Sequence, residues 1–140
     1  MSEDPGPLPS EEVLLAAARR FYDAIYAHPW LGPFFGGVDQ ARQEAKLVRF
    51  IQMAWDDPTF FTMHGRFLRD EHAHMLITDE LFDLRHELFA DALRQQGLAA
   101  REVEDLLRFN ESWRPFVVKA SIEECSDEGG RAILAVPRPT

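Results

Sequence analysis

Apolar side chains return every three or four residues along this chain, and proline, glycine and paired acidic residues cut the runs they form. A period near 3.6 puts such side chains on one face of a helix. A strand needs alternation, and no alternating stretch is present. The cuts therefore set the architecture as helices of limited length, each burying one face. Leu14, Ala18, Phe21, Tyr22 and Ile25 mark the first, which is entered through Ser10 and stopped at His28-Pro29. Ser10 supplies a capping oxygen, and Glu11 and Glu12 behind it suit the positive end of the helix dipole. Pro5, Pro7 and Pro9 argue against a helix before it.

Trp30 to Phe35 leaves room only for a turn or short helix before Gly36-Gly37. Asp39 is a cap for the next helix, whose inward residues are Leu47, Phe50, Ile51 and Ala54 and which Asp56-Asp57-Pro58 closes. Residues 58 to 76 show no sustained apolar period and are expected to form a loop with one or two helical turns. Thr78, followed by Asp79 and Glu80, starts a helix through Leu81, Leu84, Leu88 and Ala92 to Gly97. From about Ala99 the last helix carries Val103, Leu106, Leu107, Trp113, Phe116 and Val117, with Pro115 kinking it. The expectation is an all-α fold of four main helices and one long loop. The domain covers residues 10–125, with flexible segments at 1–9 and 126–140. At 140 residues and 46% apolar content the chain fills one core and no second.

Fifteen Lys and Arg stand against 24 Asp and Glu, and the net charge of -9 disfavours nucleic acid as a partner. Cys125 is the sole cysteine, which excludes an internal disulfide, and no Cys-x-x-Cys-His motif or zinc-finger spacing is present. No basic segment precedes an apolar run at the N-terminus, and no stretch approaches about 18 consecutive apolar residues. A soluble, cytoplasmic protein without a membrane partner is expected.

His72 is the leading ligand candidate. A neutral imidazole can give its lone pair to iron, and Ala73-His74-Met75-Leu76-Ile77 behind it is apolar enough to line a cofactor's flat face. Tyr22 lies on the buried stripe of the first helix, where its hydroxyl needs a partner. Gln43 and Leu47 are four apart and share a helix face, offering an amide donor beside an apolar neighbour. Phe35 is a flat side chain able to wedge against a ring. Lys46, Arg66 and Arg69 can neutralise acidic groups at a cofactor's edge. His74, two residues on, is the rival to His72.

Taken in order, Phe21-Tyr22, Pro33-Phe34-Phe35, Lys46, Gly65-Arg66-Phe67-Leu68-Arg69-Asp70-Glu71-His72, Ile77 and Phe82-Asp83 resemble the truncated haemoglobin family from about Ser10 to Ser121. The resemblance implies a two-over-two helical sandwich with a loop replacing most of the proximal helix, and haem b as cofactor. It implies His72 as proximal iron ligand, Tyr22 as distal hydrogen-bond donor and Phe35 stacked on the porphyrin. Gln43 and Leu47 fall at distal positions, Lys46 at a propionate, Arg66 or Arg69 at the other propionate, and Met75 in the cofactor wall. It further implies dioxygen, NO and CO as ligands, serving oxygen binding or transport, NO detoxification or peroxidase-like chemistry. Dioxygenase turnover would require an external reductase, since the chain has no flavin or nicotinamide fingerprint.

Two positions depart from the family pattern. Arg85 stands where relatives carry an apolar residue or tryptophan lining the distal pocket, and Asp56-Asp57-Pro58 replaces a glycine pair. An unpaired buried guanidinium is costly, so Arg85 is expected either to meet an anion or propionate or to turn outward. Lys46 swinging in as a sixth ligand would require it to lose its proton. Two further readings remain: a haem-free globin-like sensory or interaction domain, and a non-haem metal site from His64, His72 and His74 with Asp70 or Glu71.

Overall fold

The computed structural model describes residues 5–140; the expectation for residues 1–4 lies outside the described residues. Helix α1 (Glu11–Ala27) is capped by the Ser10 hydroxyl, which accepts from the Val13 amide at 3.3 Å. A short 3-10 turn, Gly32–Phe35, leads to α2 (Gln40–Ala54), where Asp39 precedes the helix without a side-chain capping bond. Helix α4 (Asp79–Gln95) is capped by Thr78, whose Oγ1 accepts from the Leu81 amide at 3.3 Å. It stops at Gly97, whose φ of 82° is a left-handed conformation that glycine adopts without a Cβ penalty.

The expected loop over residues 58–76 is a helix instead, α3 (Phe60–His72), so the described residues form five long helices rather than four. Only residues 73–78 remain as a connector. The buried side of α3 runs Phe60, Gly65, Leu68 and His72, where a glycine and a histidine interrupt the apolar signal. On the other side Met63 and Phe67 are 72% and 61% exposed. Apolar residues on both faces blur the period without weakening the helix.

The expected kink at Pro115 is a full break. Helix α5 (Ala100–Ser112) ends at Trp113, and the short α6 (Arg114–Val117) begins with Pro115 in its first turn, where the missing N–H costs nothing. Helix α1 packs on α2 and α4, α4 on α5, and α3 on α2 and α6. Phe21, Phe82, Ile25, Leu93 and Leu106 are fully buried between these layers, and each contributes about 1.5–3 kcal/mol through apolar area removed from water. A second cluster joins Leu68, Phe82, Trp113 and Val117 with Phe50, Phe61 and Phe109 in edge-on and tilted ring contacts.

Both ends of the described segment are tied down. The Gly6 amide donates to Asp105 Oδ2 at 3.0 Å, and Trp55 Nε1 donates to the Gly6 carbonyl at 3.0 Å. Where a free tail was expected after residue 125, the segment lies along the α3–α4 connector. The Ser126 amide donates to Ala73 O, the Leu134 amide to His74 O and the Leu76 amide to Leu134 O, all at 2.8–2.9 Å. Trp30 Nε1 donates to Val136 O at 2.9 Å. Among the described residues, no helix is long and apolar enough to cross a membrane.

Gly65 sets the approach of α3 to α6, since a Cβ there would meet the Phe116 ring within 2.4 Å. Gly65→Ala should therefore destabilise the protein by about 1–3 kcal/mol despite the better helix propensity of alanine. A lower thermal midpoint in calorimetry checks this; an unchanged or raised midpoint would show that the ring moves aside freely.

Candidate haem site

A cavity of about 720 Å³ opens between α2, α3 and α4, and its lining includes Tyr22, Phe35, Gln43, Lys46, Leu47, His72, Met75 and Arg85. Eight side chains named from the sequence thus converge on one space. Its volume lies in the range of small-molecule and cofactor sites, and its walls are mostly apolar. On α2 the lining residues Gln43, Lys46, Leu47, Phe50 and Met53 follow helical spacing, so one stripe of that helix forms one wall.

His72 is the last residue of α3, and its Nδ1 lies 2.8 Å from the Leu68 carbonyl. A carbonyl only accepts, so Nδ1 carries the proton and Nε2 keeps its lone pair for the cavity. Burial pushes the imidazole from its ordinary 6.5 down to about 4, the Arg85 and Lys119 charges push the same way, and the Leu68 bond opposes them. The ring is neutral at physiological pH. A residue that sequence reasoning missed steadies this end of α3: Lys119 Nζ donates to the His72 carbonyl at 2.8 Å and to Val117 O at 2.9 Å. A cation at a helix C-terminus is favoured by the negative end of the dipole, and Lys119 joins the Met75 amide, which also donates to the His72 carbonyl at 3.0 Å.

Tyr22, which α1 contributes to the same cavity, is buried, with its ring 5.9 Å from Phe35 at an edge-on 73°. Burial raises the phenol's pKa and the nearby Arg85 guanidinium lowers it, with burial prevailing. The hydroxyl therefore keeps its proton. Phe35 is half-buried between Tyr22 and Tyr26, with its ring 5.3 Å from Tyr26.

Arg85 does not turn outward. Its Nη1 donates to Asn110 Oδ1 at 2.7 Å, and its guanidinium sits 4.9 Å from the Phe21 ring and 4.6 Å from the Trp113 ring. Arginine only donates, so the Asn110 oxygen faces Arg85 and its amide nitrogen faces His86 Nδ1, 3.0 Å away. Asn110 is 2% exposed, and no sequence signal separated it from other polar residues of α5.

Arg66 and Arg69, expected at a propionate, are not among the cavity's lining. Both are exposed, and Arg69 instead covers the Phe116 ring at 4.8 Å. Arg49 and Arg131 take the rim beside Lys46. Arg49 was legible three residues beyond Lys46 on the same helix, whereas Arg131 arrives only because the C-terminal segment docks there, its Nη2 3.2 Å from Glu71 Oε2. His64 and His74 also line the cavity. Even so, among the described residues no group of three or more His, Cys, Asp or Glu is placed to hold a metal ion, so no observation supports the non-haem alternative.

The residues fit haem by their chemistry. One neutral imidazole presents a lone pair, apolar side chains form the walls, and Lys46, Arg49 and Arg131 gather positive charge at the mouth of an otherwise acidic protein. A His72 pKa lowered by folding also fixes a sign: the unfolded chain takes the proton first, so stability held above pH 6.5 is lost as the pH falls toward 4. In urea melts of the cofactor-free protein, the advantage of wild type over His72→Gln should shrink across that window. A constant difference would show that the imidazole is not buried neutral.

A family model for bacterial-like globins matches residues 10–115, three quarters of the chain. No curated protein and no solved structure matches it significantly. With the all-α architecture and the cavity between α2, α3 and α4, that match identifies the chain as a member of the bacterial-like globin family.

Proposed function

We propose that this globin is of the truncated type, holds haem b through His72 and binds dioxygen, NO and CO on the Tyr22 side. The observation that carries the reading is the His72 Nδ1–Leu68 O bond, which fixes the tautomer whose Nε2 lone pair serves a metal in the apolar cavity. His72 Nε2 would hold the iron, and the apolar wall that includes Met75 and Leu47 would enclose the ring. Lys46, Arg49 and Arg131 would meet the propionates at the rim. When bound, haem supplies a redox-active iron that takes small diatomic ligands.

The chain's own contribution is control of polarity and access. Tyr22 keeps its proton and offers it as a donor into the distal space, where the low dielectric strengthens the bond. Gln43, half-buried on the α2 stripe, provides a second amide donor. Phe35 and Leu47 keep bulk water from the space between them. Donors around a partly negative ligand slow its release, which suits oxygen binding, and NO dioxygenation with an external reductase uses the same pocket. Lys46 is exposed at the rim and fits a propionate contact rather than a place inside.

Absorption spectra of the haem-supplemented protein, ferric, reduced and under CO, test the reading. A sharp Soret band that shifts with CO is expected. A spectrum indistinguishable from free haem would sink it in favour of a haem-free interaction or sensory domain. His72→Ala should lose most of its haem on gel filtration while His74→Ala keeps a near-native spectrum, and the reverse result would exchange their roles. Tyr22→Phe should speed oxygen dissociation by about ten-fold, the worth of one hydrogen bond. An unchanged off-rate would remove Tyr22 from the distal role.

A further inference from the structure

Residues 131–138 lie beyond the 10–115 stretch that the family model matches, yet they hold two segments that border the cavity. One is the connector that follows His72. There the Leu134 amide donates to His74 O at 2.8 Å and the Leu76 amide to Leu134 O at 2.9 Å, while Arg131 donates to the Glu71 carbonyl and carboxylate at 3.1 and 3.2 Å. The other is the turn that carries Phe34 and Phe35. Trp30, just before that turn, donates through Nε1 to Val136 O at 2.9 Å, and the Arg138 guanidinium lies 5.4 Å from the Trp30 ring and pairs with Glu80. Leu134 and Val136 are half-buried against the core and Ile133 and Ala135 are exposed, the alternation of a single strand laid on a surface. The attachment is thin. Both ion pairs are solvated, where each contributes little, and a segment held by so few backbone bonds opens well before the molecule unfolds. Asp127 to Gly130 forms its hinge: the Gly130 amide closes a turn on Asp127 O at 3.0 Å, Gly130 takes a φ of 82°, and nothing lies within 4 Å of a Cβ placed at Gly129 or Gly130.

We propose that residues 131–138 are a latch on the cavity, and that what the cavity holds enters and leaves only while the latch is detached. The proposal rests on the haem reading for the identity of the occupant and adds to it the control of exchange. Docked, the segment ties down the backbone directly behind His72 and sets Arg131 on the rim beside Lys46 and Arg49. Detached, it frees His74 O, Leu76 N and the Met75–Leu134 bridge and takes one of those three cations away from the mouth. Coupling runs both ways: an occupant whose carboxylates meet Arg131 favours the docked latch, and the docked latch delays that occupant's escape. Leu134 and Arg138 are positioning residues. Neither lines the cavity, so each acts on exchange only through the segment that carries it.

If exchange passes only through the detached state, its rate in both directions scales with the fraction of molecules whose latch is open. Leu134→Pro deletes the amide that holds His74 O, which raises that fraction about ten-fold. In the full chain, stopped-flow uptake of haem and transfer of bound haem to an excess of an apoglobin acceptor should therefore both speed up about ten-fold. Faster release with unchanged uptake, or no change in either, would overturn the latch, because a segment that merely strengthens the site slows escape without delaying entry. Arg138→Gln removes the Glu80 pair and should speed both directions about three-fold, and it carries the test if Leu134→Pro fails to fold. Hydrogen exchange on the haem-free wild type gives a readout that needs no occupant. The Leu76 and Leu134 amides should exchange together, about ten-fold or more faster than the Tyr22 and Leu93 amides of the helical core. Exchange as slow as the core's would show that the segment never opens by itself and would sink the proposal. A chain that takes up no haem fails the haem reading separately, and the hydrogen-exchange result then decides the latch alone.

Discussion

The end of α3 is the constraint on which the site depends. Two carbonyls near that end accept protons from side chains that also fix the cavity wall, the His72 carbonyl in addition to the Met75 amide that donates to it at 3.0 Å. The Leu68 carbonyl takes the His72 Nδ1 proton, and the His72 carbonyl takes a proton from Lys119 Nζ. The first bond orients the ring and chooses its tautomer, and the second holds the backbone from which the ring projects. Gly65 makes the arrangement sterically possible by letting α3 lie against Phe116. The chain after it supports the same turn: Ile77 and Val118 bridge, and Lys119 N donates to Ile77 O at 2.8 Å.

Charge is distributed against the grain of the whole molecule. A chain of net charge -9 presents Lys46, Arg49 and Arg131 at one opening and encloses Arg85 behind them. Asp79, Asp83 and Glu111 pair with Arg114, which carries three carboxylates on the surface of α4 and α5. Arg114 can do so because it stays partly solvated, where such pairs contribute modestly and impose little desolvation. Arg85 is held by neutral groups, Asn110 and two aromatic rings, which fix its position without discharging it.

Much of the fold was legible in the chain. Ser10 and Thr78 cap the helices they were expected to cap, Gly97 ends one, and the stripes of α1 and α4 are buried as the spacing implied. Helix α3 was missed because its inward face includes Gly65 and His72 while Met63 and Phe67 face outward, so apolar periodicity fails although helical geometry holds. Arg66 and Arg69 were expected at a cofactor's edge from their charge and from the family resemblance. On a helix, however, residues three and six positions before the ligand do not share its face as closely as Leu68, four before it. Both are exposed.

The sequence by itself determined the all-α class, the helix boundaries written in caps, prolines and glycines, and the identity of Tyr22, Gln43, Leu47 and His72 as cavity residues. These depend on local rules, in which a side chain's neighbours along a helix follow from its spacing. The tertiary structure alone decided which cations reach the opening and what becomes of Arg85. Arg131 lies 59 positions beyond His72, and it reaches the cavity because the Leu134 amide and carbonyl pair with the His74–Leu76 backbone. Asn110 meets Arg85 across two helices 25 positions apart. Such contacts have no period and no motif, because they follow from how helices cross and where backbone groups find partners, and those are properties of the packed chain.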